Sequence, residues 1–246
     1  MLNIVIPMAG RGSRFSDCGY KDPKPLISIN NKHMIEGVID NLTPSCKHRF
    51  IFICQKKHIE KYNLTKVLRN KSDGCVVIPI EEYTEGAACT VLLAEEYICN
   101  SDPVMIANSD QWIDIDINKY LNLLEKGELD GLIMTMTAND PKWSFVGISN
   151  NKVNKVVEKE VISDEATVGI YNFSRGDNFC KAANTMIKKD KRVNGEFYVA
   201  PVYNELINEK YNVGFFNIGG VNNGMYGLGT PDDLNYFKGQ LISSNF

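Results

Sequence analysis

The chain has 246 residues and carries 27 Lys and Arg against 30 Asp and Glu, for a formal net charge of −3. This slightly acidic balance lacks the basic surface that attracts nucleic acids or anionic membranes, so we expect neither as a partner. No apolar stretch approaches the ~20 residues of a membrane span. The N-terminus shows no signal-peptide pattern, so we expect a cytoplasmic protein.

Strand-like and helix-like segments alternate through the first part of the chain. Apolar runs and helical spacing predict strands over 2–8, 50–54, 74–80 and 103–108, and helices over 34–42 and 86–99. Continuous apolar strands separated by helices are typical of a parallel sheet with both faces covered. Ligands of such sheets bind beyond the carboxyl ends of the strands.

The rest of the chain is richer in strands. The pattern predicts strands over 131–137, 145–148, 152–157 and 167–173, and helical segments over 178–189 and 199–208. No internal repeat or linker interrupts the sequence. We therefore predict one domain of α/β class over residues 1–246: a Rossmann-like, mostly parallel sheet flanked by helices, with a second lobe of mixed strands.

Seven cysteines are scattered along the chain, at positions 18, 46, 54, 75, 89, 99 and 180. Their number is odd, no two form a CxxC pair, and Cys54 and Cys99 lie in apolar runs. We interpret the cysteines as buried, reduced thiols rather than as disulfides or zinc ligands. The three histidines also lack the spacing of metal ligands.

A glycine-rich turn follows the first predicted strand. It reads Ala9-Gly10-Arg11-Gly12-Ser13-Arg14, and Pro23-Lys24-Pro25-Leu26 comes shortly after it. Glycines allow backbone N–H groups to approach phosphate oxygens, and Arg14 and Lys24 would add positive charge. The pattern is neither a Walker A loop nor a dinucleotide-binding fingerprint. It suits the binding of a triphosphate.

The turn and the Pro-Lys-Pro-Leu segment together resemble the signature of the sugar nucleotidyltransferases, also called nucleoside-diphosphate-sugar pyrophosphorylases. Ser13 stands where that family usually has Thr. The resemblance implies that residues up to about 115 form the nucleotide-binding half and residues 116–246 the acceptor-binding half. It also implies a nucleotide-binding loop of Met8, Ala9, Gly10, Arg11, Gly12, Ser13 and Arg14, with Arg14 and Lys24 as catalytic residues.

Asn108, Ser109 and Asp110 follow another apolar run. A carboxylate at the end of a strand is well placed to hold Mg²⁺ against phosphate oxygens, although Asp110 could also form a turn or cap a helix. The resemblance implies that Asp110 binds Mg²⁺ or Mn²⁺ and that Asn108 and Ser109 contact the nucleotide. We interpret the nearby Asp114 and Asp116 as helix-start or solvated acids.

Gly86 lies in a segment of small residues that, by the resemblance, opens a helix and contacts the nucleotide base. Small residues would let a flat base lie close to the backbone, but they are also ordinary in helix packing. Glu81 and Glu82 stand near the place where many thymidylyl- and uridylyltransferases have a base-reading Gln. The base is therefore left open, with CTP, UTP or dTTP as the expected nucleotide.

The predicted acceptor site comes from the second half. Glu158 and Lys159 resemble the family's strand-terminal Glu-Lys pair, which implies that Lys159 contacts the acceptor phosphate and Glu158 an acceptor hydroxyl; a surface ion pair is the alternative. By the same resemblance, Gly169 would allow the acceptor to lie close to the backbone, and Glu196 is a further candidate acceptor ligand, or else a helix-start acid. Trp143 stands, with Phe145, where relatives often have Tyr-Gly. The two aromatics would reshape the pocket for an unusual acceptor, unless both lie in the core.

One departure concerns the metal. Relatives often carry a second metal-binding Asp where this chain has Gly227. Coordination would then rest on Asp110, phosphates and water, or on another acid.

These observations predict a Mg²⁺-dependent nucleotidyltransferase that joins an NTP to a sugar 1-phosphate or a similar phosphate and releases pyrophosphate. The expected pathway is cell-surface polysaccharide biosynthesis, and the enzyme could be a homo-oligomer. Three alternatives stay open: a cytidylyltransferase for a phosphocholine-like acceptor, a glycosyltransferase that uses Asp114 and Asp116, and a nucleotide sensor without turnover. No second catalytic domain is expected within the chain.

Overall fold

The structure is a computed structural model that describes residues 1–246. Its strands are β1 Leu2–Pro7, β2 Ser28–Ile29, β3 Lys32–His33, β4 His48–Gln55, β5 Val76–Ile80, β6 Val104–Ala107, β7 Gln111–Ile113, β8 Gly131–Thr137, β9 Ser144–Ser149, β10 Lys152–Glu158, β11 Glu165–Phe173, β12 Val213–Val221 and β13 Gly224–Gly227. Its α-helices are α1 Ser13–Ser16, α2 Met34–Leu42, α3 Lys56–Tyr62, α4 Leu64–Lys71, α5 Ala87–Leu92, α6 Glu95–Ile98, α7 Ile117–Lys126, α8 Gly176–Lys188, α9 Tyr203–Asn208 and α10 Pro231–Lys238. Short 3₁₀ segments cover Lys24–Leu26, Ala200–Val202 and Leu241–Asn245.

Eleven strands form one sheet, and its main path runs β5-β4-β1-β6-β11-β8-β12-β13-β7. The first four strands are parallel, with Ile4 of β1 opposite Phe50 of β4 and Met105 of β6. β11 then pairs antiparallel with both β6 and β8, while β12 runs parallel to β8. The α/β fold predicted from the sequence, with a parallel part and a mixed part, is confirmed.

The sheet carries a hydrophobic core on each face. Ile4 and Ile6 of β1 belong to one cluster of 30 buried residues, and Val5 between them belongs to another of 29. This division follows from the alternation of side chains along a strand. Because helices cover both faces, the central strands are apolar throughout.

Helix α2 forms over the predicted residues. Its N-terminus is fixed because the Glu36 carboxylate accepts a hydrogen bond of 2.8 Å from the backbone N–H of His33. Its apolar positions, at helical spacing, are buried: Met34, Ile35, Val38, Ile39 and Leu42. Sequence and packing therefore agree in this element.

The predicted helix over 86–99 is instead two helices, α5 and α6. The chain leaves helical geometry at Ala94, where φ is −93° and ψ is 12°, and the Ala94 carbonyl then accepts bonds from the N–H groups of Tyr97 and Ile98. Ala94 is buried, so packing rather than a Gly or Pro breaks the helix here.

The interpretation of the cysteines as reduced thiols is wrong for Cys99 and Cys180, which form a disulfide across 81 residues of sequence. The expected burial of the cysteines is wrong for Cys18 and Cys46, which are exposed, and for Cys89, which is half-buried. The pairing arises because the end of α6 lies against the start of α8, where the Ile98 carbonyl fills the space beside Gly176. The five other cysteines are free thiols, and only Cys54 and Cys75 of these are buried.

None of the helices combines the length and the apolar character needed to cross a bilayer.

Candidate functional site

The glycine-rich loop joins β1 to α1. Met8 and Ala9 are buried, whereas Gly10 and Arg11 are exposed. The buried amide of Gln55, at the end of β4, donates a hydrogen bond of 3.0 Å to the Ala9 carbonyl and so fixes the start of the loop. Gln55 was not among the sequence candidates, since a lone Gln after an apolar strand gives no signal of this contact.

Lys24 and Asp110 meet in an ion pair, although 86 residues separate them in sequence. Lys24 Nζ lies 2.8 Å from Asp110 Oδ2, and the two side chains are 25% and 23% exposed. Lys24 begins a 3₁₀ turn between two prolines, which limits the backbone freedom of this segment. The structure therefore brings together two residues that the sequence placed at one site.

Asp110 is positioned by the loop after β6 and by the chain beyond β13. Its carbonyl accepts a hydrogen bond of 2.8 Å from Leu228, and a Cβ at Gly229 would lie only 2.7 Å from Oδ2. Asp116 has a different place, because its carboxylate caps α7 by accepting a bond of 2.9 Å from Asn118. That hydrogen bond lowers the pKa of Asp116, and it confirms the helix-start interpretation.

A second carboxylate, Asp233 of α10, lines the same cavity of about 350 Å³ as Asp110. Thr230 Oγ1 donates a bond of 2.7 Å to Asp233 Oδ2, which orients the carboxylate. A Cβ on Gly227 of β13 would lie 3.4 Å from Asp233 Cγ. Asp233 therefore lies beside position 227, where relatives often carry the second metal-binding Asp. Sequence reasoning missed Asp233, because Thr-Pro-Asp-Asp is also an ordinary helix start.

These residues suit a divalent cation that is shared with a ligand. The structure gathers no group of three or more His, Cys, Asp or Glu side chains around one point. Asp110 and Asp233 supply two carboxylates, and the glycines at 227 and 229 leave the space beside them free of side chains. Because Mg²⁺ typically keeps waters and binds one or two carboxylates together with phosphates, this donor set fits it.

Glu158 lies at the wall of this cavity and is only 8% exposed. Ser144 Oγ donates a short hydrogen bond to its carboxylate, and burial raises the pKa of Glu158. Lys159 does not pair with Glu158; its Nζ donates a bond of 2.7 Å to the Tyr198 hydroxyl, which raises the pKa of Lys159. The alternative of a plain surface ion pair therefore does not describe these two residues.

Other groups lie close to the backbone of Gly169, but they are protein side chains and not the acceptor that the resemblance implies. Its φ is +87°, and a Cβ there would lie 2.2 Å from Asn108 Nδ2 and 2.8 Å from Gln111 Oε1. Gln111 is 5% exposed and lines the cavity, and its Nε2 has no hydrogen-bond partner. A buried amide donor of this kind needs a partner, and a ligand in the cavity would supply one.

Gly86 packs against the segment that carries Glu196. A Cβ at Gly86 would lie 2.5 Å from the backbone N of Phe197, whose N–H donates a bond of 2.8 Å to the Glu85 carbonyl. Glu196 itself is exposed. The space beside Gly86 is therefore filled by protein backbone, and its contact with a base stays a prediction.

The two aromatics of the acceptor segment differ in position. Trp143 lines the cavity, whereas Phe145 is fully buried in the core. The expectation that both aromatics reshape the pocket is therefore wrong for Phe145, and for Trp143 it stays a prediction. Arg14 also lines this cavity, while Arg11 lines a second cavity, which Lys24 shares.

Comparison with known proteins identifies the family of the chain. A family model described as Nucleotidyl transferase matches residues 4–221. The chain is 24% identical over 173 residues, or 68% of its length, to a mannose-1-phosphate guanyltransferase of Yarrowia lipolytica, and it covers 48% of that protein. It is 23% identical over 241 residues, 95% of its length, to the bifunctional protein GlmU of Methanococcus aeolicus, of which it covers 53%.

The chain thus spans about half the length of the curated relatives it matches. Among solved structures, the nucleoside-diphosphate-sugar pyrophosphorylase of Vibrio cholerae RC9 superposes with a TM-score of 0.79 at 25% identity. That match covers 96% of this chain and 100% of the other.

Proposed function

Because the chain belongs to the nucleotidyl transferase family, we propose that it transfers a nucleotidyl group from an NTP to a phosphorylated small molecule. An oxygen of the acceptor phosphate attacks the α-phosphorus, the bond to the bridging oxygen of the β-phosphate breaks, and pyrophosphate leaves. The observation that carries this proposal is the Lys24–Asp110 pair, at 2.8 Å. It lies between the glycine-rich loop and the cavity of about 350 Å³ lined by Asp110, which we call the acceptor cavity.

The chain's residues would act by position and charge. A phosphate monoester is largely ionised near neutrality, since its second pKa is about 6, so the attack needs no general base. Lys24 would stabilise the negative charge on the α-phosphate, and Lys159 would hold the acceptor phosphate. Asp110 and Asp233 would hold Mg²⁺ or Mn²⁺, which when bound neutralises phosphate charge as a Lewis acid.

The acceptor cavity favours a hydroxylated acceptor. Its wall offers Glu158, which can accept a hydrogen bond, and the unpaired Nε2 of Gln111, which can donate one. A sugar hydroxyl can do both. We therefore propose a sugar phosphate as the acceptor, and activated sugars for cell-surface polysaccharide as the use of the product.

The structure weakens two of the alternatives. A glycosyltransferase that binds metal through Asp114 and Asp116 loses support, because Asp116 is engaged as the cap of α7. A sensor without turnover was favoured by the absent acid at position 227, and Asp233 supplies a carboxylate in its place. A phosphocholine-like acceptor would leave the Gln111 donor without a partner.

The test is a pyrophosphate-release assay with Mg²⁺ that crosses CTP, UTP, dTTP, GTP and ATP with sugar and non-sugar phosphates. We expect release with a sugar phosphate and one preferred nucleotide. Release only with phosphocholine-like acceptors would replace the sugar proposal. Sugar transfer from a preformed nucleotide sugar, without pyrophosphate, would refute nucleotidyl transfer.

A further inference from the structure

Tyr198 lines the acceptor cavity, and its hydroxyl is bound by a lysine that does not line it. Lys159 Nζ donates a hydrogen bond of 2.7 Å to the Tyr198 hydroxyl oxygen and lies 4.8 Å from the centre of the Tyr198 ring. Tyr198 is half-buried. Of this pair, the tyrosine is therefore the residue that a ligand in the cavity meets first.

The chemistry of the two groups fixes the direction of their hydrogen bond. An ammonium has three donors and no acceptor, so the Tyr198 oxygen must accept. The hydroxyl proton of Tyr198 then points elsewhere, and Tyr198 makes no second hydrogen bond within the protein. Hydrogen bonds in a chain polarise one another, so a hydroxyl that accepts from a cation donates more strongly. Tyr198 therefore offers one strong, unused donor at the cavity.

The backbone around Lys159 holds the lysine in this place. Strand β10 ends at Glu158, and Lys159 follows it with φ +58°, in the left-handed region. The Lys159 N–H donates a hydrogen bond of 3.0 Å to the Trp143 carbonyl. Adjacent side chains of a strand point to opposite faces, so a turn at Lys159 is needed for Glu158 and Lys159 to serve the same cavity.

Lys159 carries a charge that no ion pair balances. The hydrogen bond to Tyr198 raises the pKa of Lys159, and the charges of Glu158 and Glu196 add to this effect without forming an ion pair with it. The neighbouring Lys142 differs, because its Nζ lies 3.4 Å from the Asp140 carboxylate. The Tyr198 hydroxyl and the charge behind it therefore match an anion that carries hydrogen-bond acceptors.

We propose that the Tyr198 hydroxyl donates a hydrogen bond to the phosphate of the acceptor, with the positive charge of Lys159 behind it. This inference rests on the proposed function and deepens it, because it adds a residue that selects the acceptor. A phosphate satisfies both the unused donor and the unbalanced ammonium, whereas a neutral group satisfies only the donor. Tyr198 therefore selects phosphorylated acceptors over their neutral analogues.

The test is Tyr198→Phe, which removes the hydroxyl and keeps the ring that Lys159 contacts. The probe is inorganic phosphate, titrated without nucleotide and followed by the fluorescence of Trp143, which lines the same cavity. A hydrogen bond to a charged group is worth about tenfold or more in affinity, so the Kd of phosphate should rise by at least that factor. Trp143→Phe should abolish the signal, which locates the reporter.

Tyr211→Phe is the matched control. Tyr211 is also half-buried, and its hydroxyl makes one hydrogen bond, of 3.3 Å to Asn178, away from the acceptor cavity. Its Kd for phosphate should equal that of the wild type. Absence of a saturable phosphate signal in the wild type, an equal Kd in Tyr198→Phe, or an equal loss in Tyr211→Phe would each overturn the proposal.

Kinetics distinguishes the failure of this inference from that of the proposed function. In the pyrophosphate-release assay, Tyr198→Phe should raise the KM of the acceptor about tenfold or more and change the KM of the NTP less than about twofold. Product formation by Tyr198→Phe with an unchanged acceptor KM would support the transfer and refute the Tyr198 contact. Phosphate binding that depends on Tyr198, in a protein that forms no product with any acceptor, would support the contact and refute nucleotidyl transfer. A raised acceptor KM with an unchanged Kd of phosphate would place the hydroxyl on another part of the acceptor and so overturn the phosphate contact.

Discussion

The proposed metal role of Asp233 rests on its position beside Gly227, and Asp233→Asn tests it. Asn keeps the size of the side chain and can still accept the hydrogen bond from Thr230 Oγ1, which measures 2.7 Å. The Asp233 N–H bond to Thr230 Oγ1, which caps α10, is unaffected. The expected cost in folding free energy is the interaction of one charge with the helix N-terminus, about 0.3–1 kcal/mol.

The expected effect on metal binding is larger. Asp233 is one of only two carboxylates beside the cavity space at Gly227 and Gly229. Loss of a residue that only hydrogen-bonds to a metal ligand typically weakens metal affinity about 10- to 100-fold. Loss of a carboxylate that itself binds the metal should therefore weaken it at least about tenfold, or about 1.4 kcal/mol. The EPR signal of Mn²⁺, in the complex with NTP and without acceptor, measures this affinity separately from turnover.

Two further variants make the test specific. Asp232→Asn removes an exposed charge from the same first turn of α10 and should leave Mn²⁺ affinity unchanged. Gly227→Asp in the Asp233→Asn background should restore binding, because a Cβ at 227 meets only ordinary contacts of 3.4 Å or more. Equal Mn²⁺ affinity in Asp233→Asn and the wild type would refute the metal role of Asp233.

Three other substitutions address the rest of the site. Lys24→Ala should lower pyrophosphate release by more than about 100-fold with an unchanged melting temperature, as measured by steady-state kinetics and circular dichroism; near-normal turnover would contradict its catalytic role. Gly169→Ala should lower the free energy of urea unfolding by about 1–3 kcal/mol or more, because Gly169 has φ +87° and the added Cβ would lie 2.2 Å from Asn108 Nδ2. Gly10→Ala is the control and should leave that free energy unchanged, because a Cβ there meets no atom within 4 Å. Burial raises the pKa of Glu158 above its ordinary value of 4.5, so the folded state disfavours the ionised carboxylate. The free energy of unfolding should therefore fall as pH rises from 4.5 through the raised pKa. Thermal melts between pH 4 and 8 should therefore show Glu158→Gln gaining stability relative to the wild type as pH rises, and parallel pH profiles would contradict this sign.

The sequence predicted the elements whose signal is local. Strand β1 and helix α2 were found because their apolar residues follow the strand and helix patterns without interruption. The family resemblance, carried by the loop and the Pro-Lys-Pro-Leu segment, is confirmed by the family match over residues 4–221.

Helix α3 shows why the rest escaped prediction. It has three lysines in seven residues and no buried side chain, so its sequence gives no apolar stripe. Lys57 and Lys61 of α3 line the cavity that Arg11 and Lys24 also line, and this depends on a packing position that local patterns do not contain. The Cys99–Cys180 disulfide was missed for the same reason, since only the packing of α6 on α8 brings the two residues together.

The ion pair between Lys24 and Asp110 joins a residue of one cavity to a residue of the other, and under the proposed function this bears on where the reaction occurs. Lys24 lines the cavity that Arg11 also lines, and its Nζ contacts Asp110, which lines the acceptor cavity. Arg11 and Arg14 stand on either side of Gly12, one lining each cavity. If the leaving phosphates occupy the cavity of Arg11 and the acceptor phosphate occupies the acceptor cavity, the α-phosphorus must lie between them, beside Lys24. An in-line attack requires the incoming and leaving oxygens on opposite sides of that phosphorus, and a lysine of one cavity that contacts a carboxylate of the other is compatible with this arrangement.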